Sequence, residues 1–149
     1  MDYEVLQAQM ESLLAGETDQ VANLSNASAL LMDQLADINW AGFYLLKNGA
    51  LILGPFQGKP ACVHIPVGAG VCGTSFQRAE TIRVPNVHDF PGHIACDGNS
   101  NSEIVIPLRD AQNHLIGVLD IDSPLFDRFS SEDQVALEGI ARAIGQTLR

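Results

Sequence analysis

Three cysteines, Cys62, Cys72 and Cys96, occupy separate segments of the chain, with no C-x-x-C spacing between them. Cys62 lies between Ala61 and Val63, and Cys72 follows a glycine-rich turn; both contexts suit a small buried hydrophobe, the usual fate of a free cysteine. Cys96 differs. The stretch "HIACDGNSN" surrounds it with polar residues and glycine, so its thiol has little apolar surface to pack against and stays open to reaction. Asp97 beside it should raise the thiol pKa rather than lower it. A zinc site is a rival use of Cys62, His64, His93 and Cys96. Only His93 and Cys96 meet the spacing of about two to four residues usual for paired ligands, so no metal is expected.

Carboxylates form the second group. In "LIGVLDIDS" strand alternation puts Ile116, Val118, Asp120 and Asp122 on one face and Leu115, Leu119 and Ile121 on the other. The two aspartates then stand about 6.5 to 7 Å apart on the same side. Glu103 opens the neighbouring apolar stretch and can join them if the register allows. Clustered acids repel one another unless a cation, an ammonium group or a shared proton intervenes, and a raised pKa makes one of them a proton donor near neutral pH. A solvated face or a turn cap would explain the same spacing. In "INWAGFYLL", Trp40 and Tyr44 share a strand face with Gly42 between them, which leaves a slot beside an aromatic ring; two core residues would look the same.

The elements that must position these groups follow from periodicity. Val21, Leu24, Ala27, Leu31 and Leu35 recur at steps of three and four, the mark of a helix, and a shorter helix is expected near residues 4 to 14. Residues 38 to 56 read as a hairpin turning at Asn48-Gly49. A short helix should follow the glycines of "IPVGAGVCGT", and a brief strand in "TIRVPNV" should end at Pro85. Residues 86 to 101 form a long polar loop, a length more common in functional loops than in connectors. "SEIVIPL" and "HLIGVLDID" are the last strands. A helix opened by "SSEDQ" closes the chain, with Leu137, Ile140, Ile144 and Leu148 on one face. The result is an α+β domain: an antiparallel sheet with helices on one face and the other face available for a pocket.

The 149 residues fit one domain, with 46% apolar and 17% charged residues, an ordinary globular composition. A net charge of −10 repels polyphosphates, so neither nucleic acid nor an anionic membrane is an expected partner. No apolar run is long enough to span a bilayer, and the N-terminus lacks the basic and apolar regions of a signal peptide. A cytoplasmic location is expected, where disulfides are transient.

Four stretches together, "INWAGFYLL", "LGPFQGKPACVHIPVGAGVCGT", "HIACDGNSNSEIVIPL" and "IGVLDIDS", resemble the free methionine-(R)-sulfoxide reductases, small proteins made of a single GAF domain. The similarity runs from about residue 15 into the C-terminal helix and includes all three cysteines. It implies a GAF-like central antiparallel sheet flanked by N- and C-terminal helices, with residues 1 to 149 as one domain. It also implies reduction of free L-methionine-(R)-sulfoxide to methionine without a cofactor, with thioredoxin or another dithiol as reductant.

Carried over residue by residue, the resemblance makes Cys96 the nucleophile, Cys62 the resolving cysteine and Cys72 a second thiol for disulfide exchange. Glu103 or Asp122 would supply the proton. Trp40 and Tyr44 would line the pocket, Asp120 would meet the substrate ammonium, and backbone N–H groups around Ile94, Ala95 and Cys96 would hold its carboxylate. A homodimer packed through the terminal helices is also implied. Two rivals are a GAF sensor that binds a small ligand without catalysis, and a thiol redox switch or peroxidase built on Cys96; the second leaves Trp40 and the acids unexplained.

Overall fold

Capping aspartates start both N-terminal helices in the computed structural model, which describes residues 1–93 and 98–149. Asp2 accepts a hydrogen bond from Val5 N at the start of α1 (Tyr3–Leu14), and Asp19 accepts one from Ala22 N at the start of α2 (Gln20–Gln34). Leu24, Ala27, Leu31 and Leu35 are buried as the periodicity requires. Val21 is not. It lies in the first turn and is 66% exposed, because the buried stripe of α2 begins only at Asn23 and Leu24.

The chain then builds β1 (Trp40–Lys47), β2 (Ala50–Gly58) and β3 (His64–Pro66). Asn48 and Gly49 turn the first hairpin with φ of 52° and 82°, the left-handed pair that Asn-Gly provides at least cost. α3 (Gly70–Arg78) and β4 (Ile82–Val84) follow, then β5 (Ser102–Arg109), β6 (Leu115–Ser123) and α4 (Ser131–Gly145). The expected polar loop contains a 3-10 turn at Val87–Asp89. The start of α4 is a capping box: Asp133 N donates to Ser130 Oγ, and Ser130 N donates to Asp133 Oδ2.

All six strands form one antiparallel sheet in the order β3-β2-β1-β6-β5-β4. The hairpin ends thus meet at the centre, where β1 pairs with β6. One face packs against α1, α2 and α4 through Phe43, Ile104, Leu119 and Ile121, together with the whole predicted stripe of α4. The opposite face carries a second cluster around Trp40, Tyr44, Val105 and Val118, closed in part by Val71 and Cys72 of α3. Ile116 departs from the expected alternation and packs with the helix-side core. Opposite it the register slips: Leu108 faces Gly117 and Arg109 faces Leu115, so Ile116 is the extra residue of a bulge and its side is reassigned.

Candidate active site

The strand register collects the acids. Trp40, Asp122 and Glu103 face one another in a row across β1, β6 and β5, and Gly42, Asp120 and Val105 form the next row. Residues opposite one another share a sheet face, so all three carboxylates and the tryptophan point to the same side. They line one pocket together with Ala61, the start of α3 (Gly70 to Cys72), His93 and Ser100.

Gly42 shapes the apolar wall. A Cβ there would stand 2.3 Å from Cβ of Phe56 and 2.9 Å from Cη2 of Trp40, so only glycine lets the two rings close over the strand. Trp40 stacks on Phe56 with ring centroids 5.2 Å apart and on Tyr44 at 6.0 Å. Both polar handles are satisfied: Trp40 Nε1 donates to Lys59 O (3.1 Å) and Tyr44 Oη donates to Cys62 O (2.8 Å). The second bond ties the Cys62 segment to the pocket wall. Burial, reinforced by the charges of Asp120 and its neighbours, raises the Tyr44 pKa, so the phenol keeps its proton and remains a donor. Phe56 was not read from the sequence; β2 carries a bulge in which Gly54 and Pro55 together oppose Phe43, between the pairs Gly42–Phe56 and Tyr44–Leu53, so simple alternation along β2 does not show which way Phe56 points.

Glu103 and Asp120 are 7% and 5% exposed. Their pKa values are both pushed well up, chiefly by burial. The charge of Asp120 adds to the effect on Glu103, and that of Asp122 to the effect on Asp120, while a hydrogen bond with Asp122 opposes the shift at Glu103. Asp122 is only half-buried. Asp120 Oδ1 has no hydrogen-bond partner among the described residues, a costly state for a buried acceptor. Cys72 is also buried, and burial followed by the charges of Asp120 and Glu103 raises its pKa, which keeps it a protonated thiol.

One oxygen each of Glu103 and Asp120 and the Cys72 sulfur lie within 4.8 Å of one another. The raised pKa values make this a proton-holding cluster, and any cation there would first have to displace those protons. Of the zinc candidates, His64 is exposed in β3, away from these groups. Cys62 is half-buried and disulfide-bonded, while Cys72 is a free thiol. Ile94, Ala95 and Cys96 lie outside the described residues.

The cluster stores a testable cost. An acid whose folded pKa lies above its unfolded value, about 3.9 for Asp and about 4.3 for Glu, binds protons more tightly when folded. The stability it contributes is complete below the unfolded pKa and is lost as pH rises through the folded one. Asp120→Asn should therefore raise the Tm of the substrate-free protein, and by more at pH 8 than at pH 5. A gain of about 1 kcal/mol corresponds to about 2–4 °C in a domain of this size. Thermal unfolding of the two proteins at both pH values checks this; an equal shift at both would show that the carboxylates are not in conflict.

Comparison with known proteins places this geometry. The GAF domain family matches residues 9–148. The free methionine-R-sulfoxide reductase of Escherichia coli is 55% identical over 98% of this chain and 88% of its own length. The reduced form of fRMsr of Staphylococcus aureus superposes with a TM-score of 0.96 at 54% identity, covering 99% of this chain and 96% of that one. Its complex with substrate gives a TM-score of 0.94 at 53% identity, with the same coverage. A GAF sheet whose free face gathers an aromatic wall and three acids, at this level of identity, shows that the chain belongs to the free methionine-R-sulfoxide reductase family of GAF-domain proteins.

Proposed function

We propose that this protein reduces free L-methionine-(R)-sulfoxide to methionine, with Cys96 as nucleophile and Cys62 as resolving thiol. The observation that carries the proposal is the pairing of an apolar aromatic wall with a buried, proton-holding acid cluster in one small pocket. A sulfoxide oxygen leaves poorly until it is protonated. The Cys96 thiolate attacks the sulfur, and an acid protonates the oxygen. The S–O bond of the substrate then breaks as the oxygen passes to the Cys96 sulfur and the transient S–S bond opens, with its electron pair returning to the substrate sulfur; this releases methionine and leaves Cys96 as a sulfenic acid. Condensation with the Cys62 thiol forms a disulfide and expels the oxygen as water.

Glu103 is the better donor on the grounds of burial, since it is enclosed and Asp122 is half open. The disulfide-bonded state of Cys62 supports its role as the resolving partner, and the buried, protonated Cys72 fits a later exchange step rather than the first attack. Trp40 and Tyr44 receive the methyl-sulfur end. The unpartnered Oδ1 of Asp120 suits the ammonium group, which also offsets the repulsion among the acids. Backbone N–H groups at Ile94 to Cys96 hold the carboxylate. Thioredoxin in a reducing cytoplasm returns the disulfide to thiols, and the chain works as a homodimer through its terminal helices, where Val5 and Leu13 of α1 expose apolar surface.

Selectivity is the direct test. A pocket that pairs with a free ammonium and a free carboxylate leaves those partners unpaired when the ligand's ends are amides. With dithiothreitol as reductant, methionine should form from the free (R) sulfoxide but not from the (S) epimer, and an N-acetylated (R) sulfoxide should be refused. Turnover of the acetylated compound at a comparable rate would remove the ammonium site. No turnover of any would leave the sensor reading.

A further inference from the structure

The buried acid that gives up its proton must regain one before the next cycle, and the reaction does not return it directly. Glu103 protonates the sulfoxide oxygen. The Cys96 proton leaves to solvent when the thiolate forms, and the Cys62 proton departs with the oxygen as water. Each cycle therefore returns Glu103 as a carboxylate, and it needs a path to solvent although it is 7% exposed.

His93 stands on that path. Its Nε2 lies 3.9 Å from Glu103 Oε1, beyond a direct hydrogen bond and within the span of one bridging water or a small side-chain movement. Its side chain is 18% exposed, so it touches both the pocket and the outside. The backbone at His93 is anchored by its N–H donating to Phe90 O (3.2 Å), which fixes where the side chain leaves the main chain. The titratable groups around it are His88 in the 3-10 turn, Glu103 on β5 and, beyond it, Asp120 and Asp122 on β6 and Cys72 on α3. Tyr44 commits its hydroxyl to Cys62 O and Cys72 is buried. His88 engages Asn101 Oδ1 at the surface.

We propose that His93 is the proton relay that recharges Glu103 from solvent after each reduction, an inference that rests on the reductase reading above. Its imidazole takes a proton from water and passes it through Nε2 to Glu103 Oε1, ending neutral again; no electron moves and no other reactant is needed. Burial and the nearby His88 lower the His93 pKa, which makes the ring neutral at rest and its short-lived imidazolium a ready donor to a carboxylate. His93 acts through Glu103 and is not assigned contact with the reacting sulfur.

The relay separates the first turnover from those that follow. In reduced His93→Ala, Glu103 begins with its proton, so the first methionine should be slowed far less than the turnovers that follow. Steady turnover, measured where the rate no longer depends on reductant concentration, should fall about tenfold or more, since positioned acid–base groups contribute about 10²–10⁴-fold. Added imidazole should restore the steady rate of His93→Ala in proportion to its concentration and leave wild type unchanged. His93→Gln, which keeps a polar side chain of similar reach, should show the same split between first and later turnovers. An unchanged steady rate, or a loss in both phases that imidazole does not reverse, would overturn the relay. Wild type in the same experiment keeps the two readings apart: if it releases no methionine, the reductase assignment itself has failed.

Discussion

Cys62→Ser should release one methionine per chain from free L-methionine-(R)-sulfoxide and then stop, whereas Cys96→Ser should release none. The first step needs only the nucleophile and a proton donor, and both survive in Cys62→Ser. The sulfenic acid left on Cys96 then lacks the thiol proposed to resolve it. Cys72 is 4% exposed and its thiol is held protonated by burial and the adjacent carboxylates, so it should rescue the variant slowly at best. A rapid-quench count of methionine per chain, with dimedone to trap the sulfenic acid, distinguishes the two variants. Continued turnover of Cys96→Ser would move the nucleophile elsewhere, and uninterrupted turnover of Cys62→Ser would give the resolving role to another thiol.

Glu103→Gln should slow methionine formation in a single turnover by about 10²–10⁴-fold, the usual contribution of a positioned general acid. The amide keeps the shape of the side chain and one hydrogen-bond donor, so substrate binding should suffer less than the chemical step, and kcat should fall more than KM changes. The pH profile carries the sign. The acid is active when protonated, so the wild-type single-turnover rate should fall as pH rises through the raised pKa of the coupled acids. In Glu103→Gln that limb should flatten. Asp122→Asn is the comparison: a larger loss there than in Glu103→Gln would transfer the donor role to Asp122, and an unchanged rate in both would remove acid catalysis from the mechanism.

Much of this site could be read along the chain because sheet geometry is regular over short distances. The alternation of "LIGVLDIDS" puts Asp120 and Asp122 on one side, and "INWAGFYLL" does the same for Trp40 and Tyr44. The meeting of the two stretches depends on β1 pairing with β6, a contact between residues about 80 apart that periodicity does not encode. Glu103 joins them through the β5–β6 register, which aligns it with Asp122. Regularity fails at the bulges: Ile116 changes side, and Phe56 joins the aromatic wall although the alternation of β2 gives no sign of it.

His93 was legible only as one half of a weak metal spacing. Its position against Glu103 comes from the turn at Phe90 and the folding of the loop back onto the sheet, where Asn101 N donates to Ser123 O and Asn39 Nδ2 donates to Ser100 Oγ. Such long-range loop contacts leave no periodic trace. The short helix after the glycines of "IPVGAGVCGT" is read from the sequence, but the place of its uncapped start in the pocket wall is not. Gly73 packs onto β3 so closely that a Cβ would stand 2.4 Å from Pro66 O, and Gly70 to Cys72, just before it, line the pocket.

The central claim is that the protein transfers the sulfoxide oxygen to its own cysteine and resolves the product internally. Fully reduced wild-type protein, mixed with excess free L-methionine-(R)-sulfoxide in the absence of any reductant, tests it in one experiment. One methionine should appear per chain while two thiols are lost, leaving the third cysteine titratable after unfolding. Methionine without thiol loss, or thiol loss without methionine, would contradict the mechanism.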